Sequence, residues 1–372
     1  MKPRYLELQR EDNALYVRAD RVPLLSEIDV IVFDCDGVLL DVQGSYYEAV
    51  AQTMSALVEA FTSVKLPLTM FDDGLNFAYK QTGGLNNDWD LTYALVMKIL
   101  SLSSDADRIN RLAQQSLAFN DIHERLRFIE ENRVEADLPL DDIYDELQSF
   151  ASCLDDYGVE SVDKHLPAMY GVKQALGHPG GIGKSIVTTM FEEIFGGAEL
   201  FRETFGFPAR FSEAERGYVE NARVVIKDQT LDQLEQIIRG ARFGIASSSP
   251  ANTARHVLGA TIGRFTPEAQ VWHDDIKEAE ETIGRRDLGK PNPYSLIRSS
   301  ETYQPFRRVL YVGDTVADRL MAERAGPKYL FAGVYGCVSG ADKARESFLR
   351  AGCDVVAHSV NNLPQVLKAL KR

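Results

Sequence analysis

The sequence predicts an α/β protein built on a doubly wound parallel sheet, with a large all-helical domain inserted after the first strand of that sheet. Short, continuously apolar runs rich in β-branched residues are typical of strands buried on both faces of a parallel sheet. Each such run is followed by turn residues and a helical pattern, at 30–33, 243–246, 309–312 and 329–334. Residues 45–238 have amphipathic helical spacing instead, and this stretch is long enough to bury a core of its own.

The elements follow one another in a simple order along the chain. Two short extended runs, 5–9 and 15–19, flank the turn-like residues 10–13, so we expect a β-hairpin before the first buried strand. Residues 106–132, 141–154 and 231–238 show the clearest helical spacing within the insertion. The predicted domains are an N-terminal extension (1–28), an α/β core (29–43 and 239–372) and a helical insertion (44–238).

Composition and charge exclude several classes of protein. The 372 residues are 45% hydrophobic and 26% charged, which is typical of soluble globular chains, and the length suggests two domains. A net charge of −14 disfavours broad binding to nucleic acid or to an anionic membrane. We find no apolar run long enough to span a membrane and no signal peptide. The four cysteines form no CxxC pair, so we expect reduced thiols and a cytoplasmic protein.

The first buried strand ends in a pair of carboxylates, Asp34 and Asp36. Ligands of open α/β sheets bind at the carboxyl ends of strands, which is where this pair falls. Burying unpaired carboxylates is costly, and a divalent cation would offset their charge. Because the ligands are hard oxygen atoms, the sequence favours Mg²⁺. Cys35 lies between the two aspartates and is expected to point away from them as a packing residue.

The second buried strand, 243–246, ends in a run of hydroxyl side chains. Ser249 is a good helix N-cap, with Pro250 at the first helical position. Capping does not require Ser247, however. The free N–H groups of a helix N-terminus make this strand end a candidate phosphate site, to which Ser247 and Ser248 would contribute.

Two further motifs follow in the C-terminal part of the chain. Lys290 lies in a proline-rich loop, where a lysine is ordinarily solvated. The next apolar strand, 309–312, leads into Asp314 and Asp318. Their spacing places Asp318 about one turn into the following helix, close to Asp314.

In chain order these segments provide a DxD pair, a serine, a lysine and a GDxxxD pair. This combination resembles the haloacid dehalogenase-like hydrolase superfamily over residues 30–42 and about 240–335. The resemblance implies a Rossmann-like core and, from the place of the insertion, subfamily I with a large helical C1-type cap, as in phosphoglycolate phosphatase and β-phosphoglucomutase. The insertion is longer than such caps usually are.

The resemblance also implies roles for the motif residues. Asp34 matches the nucleophile that forms an aspartyl-phosphate, and Asp36 matches the acid/base, whose backbone carbonyl is a metal ligand in the family. Asp314 would complete the Mg²⁺ site with Asp34. Relatives that dehalogenate or cleave phosphonates usually lack an aspartate at the position of Asp36, so this residue favours phosphate esters.

The same resemblance implies that Asp318 supports the site from outside the metal's own ligands, orienting Lys290 or a metal-bound water. Ser247, Ser248 and Lys290 would bind the oxygens of the transferring phosphoryl group and stabilise its developing charge.

Two segments of the insertion are candidates for substrate contact. Asn86, Asn87 and Trp89 could recognise the leaving group, since a cap loop reaches over the site in capped relatives; a helix–helix turn with Asn/Asp capping is the alternative. The Gly/Pro-rich segment 177–185 contains Gly-Lys-Ser, but His178 occupies a position where a phosphate-binding P-loop needs glycine. His178, His256 and His273 do not have the spacing of metal ligands.

The function most favoured by the sequence is a Mg²⁺-dependent phosphatase acting on a small phosphorylated metabolite. A phosphomutase of the β-phosphoglucomutase type is an alternative, although Gly313 before Asp314 is more typical of the phosphatases. A catalytically silent binding module is a third, which the complete motif set disfavours. Substrate identity, oligomeric state and the roles of the hairpin and of segment 177–185 stay open.

Overall fold

The computed structural model describes residues 3–9, 14–85, 87–238, 240–285, 287–338 and 340–370. The chain forms two compact units. We call Met1–Gln43 with Ala222–Arg372 the sheet unit, and Gly44–Asn221 the helical unit. The predicted insertion extended to residue 238, whereas the structure groups 222–238 with the sheet unit. The reason is hydrophobic: Leu231 and Leu234 are buried in the same core as Leu363.

The sheet unit contains an eight-stranded sheet of order β1-β2-β10-β9-β8-β3-β6-β7. The six strands β10 to β7 of this order are parallel, and the predicted N-terminal hairpin is confirmed as β1 and β2, which add to the edge in antiparallel orientation. The predicted turn 10–13 lies outside the described residues. The strands are β1 (Tyr5–Gln9), β2 (Leu15–Arg18), β3 (Ile28–Phe33), β6 (Arg242–Ala246), β7 (Gln270–Val271), β8 (Arg308–Gly313), β9 (Tyr329–Val334) and β10 (Val355–Ala357).

Burial on both faces of the sheet explains the continuously apolar strands. Along β3, Ile31 and Phe33 lie in one hydrophobic cluster, while Val30 and Val32 lie in the cluster on the opposite face. Helices cover both faces of the sheet. All four strands that were predicted from apolar runs are present. The helices are α1 (Val22–Leu25), α11 (Asp228–Ile237), α12 (Ala251–Leu258), α13 (His273–Ile283), α14 (Tyr294–Glu301), α15 (Val316–Ala325), α16 (Ala341–Ala351) and α17 (Leu363–Leu370).

A separate two-stranded ribbon marks the place where the chain leaves and re-enters the sheet unit. Strand β4 (Leu40–Asp41) pairs antiparallel with β5 (Arg223–Val224). The partners are Leu40 with Val224 and Asp41 with Arg223. Both passages of the chain are therefore held side by side on the sheet unit.

The helical unit is described throughout except at residue 86, and its described part is α-helical with short 3₁₀ turns. The helical stretch predicted at 106–132 is two helices, because Asp121 caps a new helix by accepting the N–H groups of His123 and Glu124. The helices are α2 (Gln43–Thr62), α3 (Asp73–Lys80), α4 (Asp88–Ser101), α5 (Ala106–Ser116), α6 (Ile122–Glu131), α7 (Ile143–Cys153), α8 (Val159–His165), α9 (Tyr170–Leu176) and α10 (Ile186–Phe205).

Across the described segments of both units, we find no helix with the length and apolar character that crossing a bilayer requires. All four cysteines are described, and each is a free thiol.

Candidate active site

The predicted motif residues of the sheet unit follow three neighbouring strands. Asp34 comes directly after β3, Ser247 directly after β6 and Asp314 directly after β8. These strands are adjacent and parallel in the order β8-β3-β6. Their carboxyl ends therefore lie at one edge of the sheet, which is where open α/β sheets bind ligands.

Asp34 is buried, and one of its two carboxylate oxygens has two hydrogen-bond partners. Its Oδ1 lies 2.7 Å from Lys290 Nζ and accepts a 2.8 Å hydrogen bond from the backbone N–H of Cys35. Among the described residues, no donor bonds to Oδ2. The carboxylate is thus held in one orientation with a free oxygen.

Lys290 reaches the site from the loop before α14, and its side chain is only 10% exposed. Its Nζ lies 2.8 Å from Asp318 Oδ1, in addition to its contact with Asp34, and 5.8 Å from the centre of the Tyr311 ring. An ammonium group in this position stays charged, since burial opposes the charge but Asp318 and Asp34 raise the pKa of Lys290 above its ordinary value.

Asp318 is completely buried in α15, and both of its carboxylate oxygens already accept hydrogen bonds. Oδ1 accepts from the Tyr311 hydroxyl at 2.8 Å, and Oδ2 accepts from the Thr315 hydroxyl at 2.6 Å and from the Thr315 N–H at 3.0 Å. Burial raises the pKa of Asp318, but Lys290 and these hydrogen bonds outweigh burial and hold it below its usual value. Asp318 is therefore an anion in direct contact with Lys290. Its predicted role, which is to orient Lys290 or a metal-bound water, stays a prediction.

The carboxylates of Asp34, Asp314 and Asp318 form a cluster in which one oxygen atom of each lies within 4.8 Å of the others. Among the described residues, Lys290 is the only cation that pairs with the cluster, and it contacts Asp34 and Asp318. Burial, Asp318 and Asp34 raise the pKa of Asp314 well above its usual range, and burial followed by Asp318 also raises that of Asp34. An excess of buried negative charge with only oxygen ligands fits a divalent cation such as Mg²⁺. Because Asp318 already accepts several hydrogen bonds, Asp34 and Asp314 are the carboxylates best able to bind it.

Because Gly37 has no side chain, the carboxylate of Asp314 can lie directly against it. A Cβ atom at Gly37 would lie 2.0 Å from Asp314 Oδ2, and the residue has a φ of 73°, which disfavours other side chains. Glycine thus permits the turn after β3 to lie directly against the second predicted metal ligand.

Asp36 accepts a hydrogen bond from Ser249, a residue that the sequence predicted to be a helix N-cap. The Ser249 hydroxyl donates a 2.5 Å hydrogen bond to Asp36 Oδ2. The expectation that Ser249 caps the next helix with Pro250 at its first position is wrong. Pro250 itself is the N-cap, and α12 begins at Ala251 without a side-chain cap.

Ser247 and Ser248 differ in their surroundings. Ser247 is 1% exposed, donates to the Ser249 hydroxyl at 3.1 Å and accepts the Ser249 N–H at 3.2 Å. Ser248 is exposed. Their predicted binding of a phosphoryl group stays a prediction. Cys35 is fully buried, and burial followed by the charges of Asp36 and Asp34 raises the pKa of its thiol, which agrees with a packing role.

The candidate substrate residues belong to the helical unit. Asn87 is the N-cap of α4, where its Oδ1 accepts the Trp89 N–H at 2.8 Å, and the indole N–H of Trp89 donates to Glu192 at 2.8 Å. These contacts match the helix-turn alternative. Asn86 lies outside the described residues. Recognition of a substrate by Asn86, Asn87 and Trp89 stays a prediction.

The segment 177–185 is explained by local structure. Gly177 ends α9 in the left-handed region, and Ser185 caps α10 by accepting the Thr188 N–H. His178 Nε2 lies 2.7 Å from Asp90 Oδ1. His256 and His273 belong to the sheet unit.

Sequence reasoning did not assign Ser249, Tyr311 and Thr315 to the site. Two features of the sequence could have identified Tyr311 and Thr315. A tyrosine in a doubly buried strand needs a partner for its hydroxyl, and Thr315 with Asp318 has capping-box spacing, which the structure contains. No comparable signal predicts the contact between Ser249 and Asp36.

Comparisons with known proteins agree with this geometry. A family model described as haloacid dehalogenase-like hydrolase matches residues 28–326. An X-ray structure from the Northeast Structural Genomics Consortium is similar over 92% of this chain and 99% of its own, with 20% identity and a TM-score of 0.63. Phosphatase Tt82 from Thermococcus thioreducens is similar over 85% and 98%, with 18% identity and a TM-score of 0.47. No curated protein sequence matches the chain. Because the family model spans most of the chain and its strands carry the expected motifs, this protein belongs to the haloacid dehalogenase-like hydrolases.

Proposed function

We propose that the protein is a Mg²⁺-dependent phosphatase that hydrolyses a small phosphorylated metabolite through an aspartyl-phosphate on Asp34. One observation carries the proposal. Lys290 and the N–H of Cys35 both bind Oδ1 of Asp34, so the carboxylate is fixed while Oδ2 is left to react. A fixed carboxylate at the edge of the sheet is suited to nucleophilic attack on phosphorus.

In the first half of the reaction, Oδ2 of Asp34 attacks phosphorus and the bond from phosphorus to the ester oxygen breaks. The leaving alkoxide takes a proton from Asp36, which is held by Ser249 on one oxygen. Lys290 stabilises the charge that develops on the phosphoryl oxygens.

In the second half, Asp36 removes a proton from water and the water oxygen attacks phosphorus. The bond from phosphorus to Asp34 breaks, which releases inorganic phosphate and regenerates the carboxylate. Asp36 has regained the proton it gave to the alcohol, so the cycle is balanced.

Magnesium would be held by the carboxylates of Asp34 and Asp314 with the backbone carbonyl of Asp36, and would neutralise negative charge on the phosphoryl group. The supporting observations are the all-oxygen donor set and the excess negative charge of the cluster. Asp318, which already accepts several hydrogen bonds, would keep Lys290 in place.

We place the protein in the cytoplasm with a small metabolite, and not nucleic acid, as its partner. The four free cysteines support a cytoplasmic location. The net charge of −14 supports a partner other than nucleic acid.

The test is a screen for release of inorganic phosphate from sugar phosphates, phosphoglycolate, nucleoside monophosphates and phosphorylated amino alcohols, with and without Mg²⁺. We expect turnover of at least one class, dependent on Mg²⁺ and abolished in Asp34→Asn. The matched control is Asp232→Asn, an exposed aspartate of the sheet unit that pairs with Arg264. Phosphate release that persists in Asp34→Asn contradicts the covalent mechanism. Transfer of phosphate within a sugar phosphate without release identifies a mutase instead.

A further inference from the structure

The helical unit contains a cleft of about 730 Å³ whose lining includes none of the motif residues. One wall is the face of α6 that carries residues at positions i, i+3, i+4 and i+7 of the helix. These are His123, Leu126, Arg127 and Glu130. Gln52 and Ala56 of α2 and Met190 and Ile194 of α10 form further walls at i and i+4 spacing, and a loop closes the cleft with Arg210, Ser212, Arg216 and Tyr218.

A buried carboxylate fixes that loop. Glu193 is completely buried, and its Oε2 accepts the backbone N–H groups of Arg210 (2.8 Å), Phe211 (2.5 Å) and Ser212 (3.0 Å). The Phe211 ring lies 4.2 Å from that of His123 on the facing helix. Three hydrogen bonds to one anion hold the backbone in a single conformation, so the cleft is preformed.

The charge of the cleft is opposite to that of its surroundings. Acidic residues outnumber basic ones by about two to one in residues 44–221. The cleft nevertheless has three arginines and only one acidic side chain, Glu130, in its lining. Arg210 pairs with Asp121 at 3.1 Å. Arg127 and Arg216 make no hydrogen bond or ion pair with any described residue, although Glu130 on the same wall interacts electrostatically with Arg127. Both guanidinium groups therefore keep their hydrogen-bond donors available for an anion.

Part of the remaining lining is apolar and offers a surface for a hydrocarbon or aromatic group. Ala56, Leu126, Met190 and Ile194 all contribute to it. A concave site that combines apolar walls with a few fixed polar groups is typical of small-molecule binding.

We propose that this cleft binds a small organic anion, with its carboxylate or phosphate group against Arg127 and Arg216 and its apolar part against Leu126 and Met190. None of the residues assigned to the proposed phosphatase chemistry lines this cleft, and its lining residues all belong to the helical unit.

The test uses the full-length chain and two fluorescent probes of similar shape, anionic 8-anilinonaphthalene-1-sulfonate and uncharged N-phenyl-1-naphthylamine. We expect saturable binding of the anionic probe to the wild type. The double variant Arg127→Gln/Arg216→Gln is expected to weaken this binding roughly tenfold and that of the neutral probe less, since two exposed charge contacts are lost. The matched control Arg111→Gln removes an exposed charge on α5 and is expected to bind both probes as the wild type does.

A second variant tests the walls without changing charge. Ala56→Phe fills part of the cleft and is expected to weaken both probes, with far-ultraviolet circular dichroism confirming that each variant is folded. The proposal is overturned if the wild type does not bind the anionic probe saturably, or if the arginine variant and Arg111→Gln bind it equally well. Because the readout is fluorescence, neither result depends on whether the protein hydrolyses phosphate esters.

Discussion

The hydroxyl of Ser249 contributes to the orientation of a carboxylate, that of Asp36. Its 2.5 Å hydrogen bond to Asp36 holds that carboxylate, and the hydroxyl is itself supported by Ser247 at 3.1 Å. A proton donor that is free to rotate protonates a leaving group less efficiently than one in a fixed position. In the proposed mechanism, Ser249 is therefore a positioning residue for Asp36.

We expect Ser249→Ala to lower kcat by roughly three- to thirtyfold with little change in KM, since one hydrogen bond to a charged group is lost. Steady-state kinetics on the best substrate of the phosphate screen provide the measurement. Ser249→Thr keeps the hydroxyl and is expected to restore most of the rate. A loss of equal size in both variants would indicate damaged packing rather than a lost hydrogen bond.

Gly37 gives a second prediction at this scale. An added Cβ would clash with Asp314 Oδ2 and would force a residue with φ of 73° into an unfavourable conformation. We expect Gly37→Ala to raise the Mg²⁺ concentration for half-maximal activity and to lower the free energy of unfolding by about 1–2 kcal/mol. The control is Gly44→Ala, where an added Cβ meets no atom within 4 Å. A Mg²⁺ requirement unchanged in Gly37→Ala would show that Asp314 does not bind the ion.

At the scale of the element, the start of α4 depends on Asn87. Its side chain accepts the Trp89 N–H and satisfies a group that the helix cannot satisfy itself. We expect Asn87→Ala to lower the free energy of unfolding by about 1 kcal/mol and Asn87→Ser to retain most of it. Urea denaturation provides the measurement.

The same variant tests the predicted substrate role of Asn87. A capping residue affects all substrates alike, whereas a residue that recognises the leaving group changes kcat/KM for the natural substrate and spares a generic aryl phosphate. A selective loss of about tenfold or more would support recognition.

The elements also show what the sequence can and cannot predict. The strands at 30–33 and 309–312 were predictable because burial on both faces demands an unbroken apolar run. The helix boundary near Asp121 was missed because α5 and α6 both have helical spacing, and the short irregular segment between them is too brief to interrupt that pattern. Lys290 was recognisable from its motif, but its bonds to Asp34 and Asp318 depend on the path of a loop, which periodicity does not encode.

At the scale of the whole molecule, the acidic cluster links folding stability to pH and metal. Burial raises the pKa of Asp34 from an ordinary value of about 4 to about 7. Between these two values the folded protein binds the proton more tightly than the unfolded chain does. Raising the pH through this window therefore lowers the free energy of unfolding in the absence of metal.

We expect the metal-free protein to be less stable at pH 8 than at pH 5, and Mg²⁺ to restore stability at pH 8 because it binds the deprotonated, folded form. Chemical denaturation with EDTA or with Mg²⁺ at both pH values provides the measurement. The loss between pH 5 and pH 8 should be smaller in Asp34→Asn, which cannot ionise. An identical pH dependence in this variant would exclude Asp34 as its source.

The ribbon of β4 and β5 makes the helical unit a segment that could be exchanged by protein engineering. Since Asp41 and Arg223 are paired partners on the sheet unit, the 178-residue helical unit begins and ends at two points held together like the arms of a hairpin. A segment attached at such closely spaced points can be lengthened, shortened or exchanged without altering the distance its ends must bridge. Unrelated domains with neighbouring termini could therefore replace the helical unit, while the strand ends that precede Asp34, Ser247 and Asp314 keep their geometry.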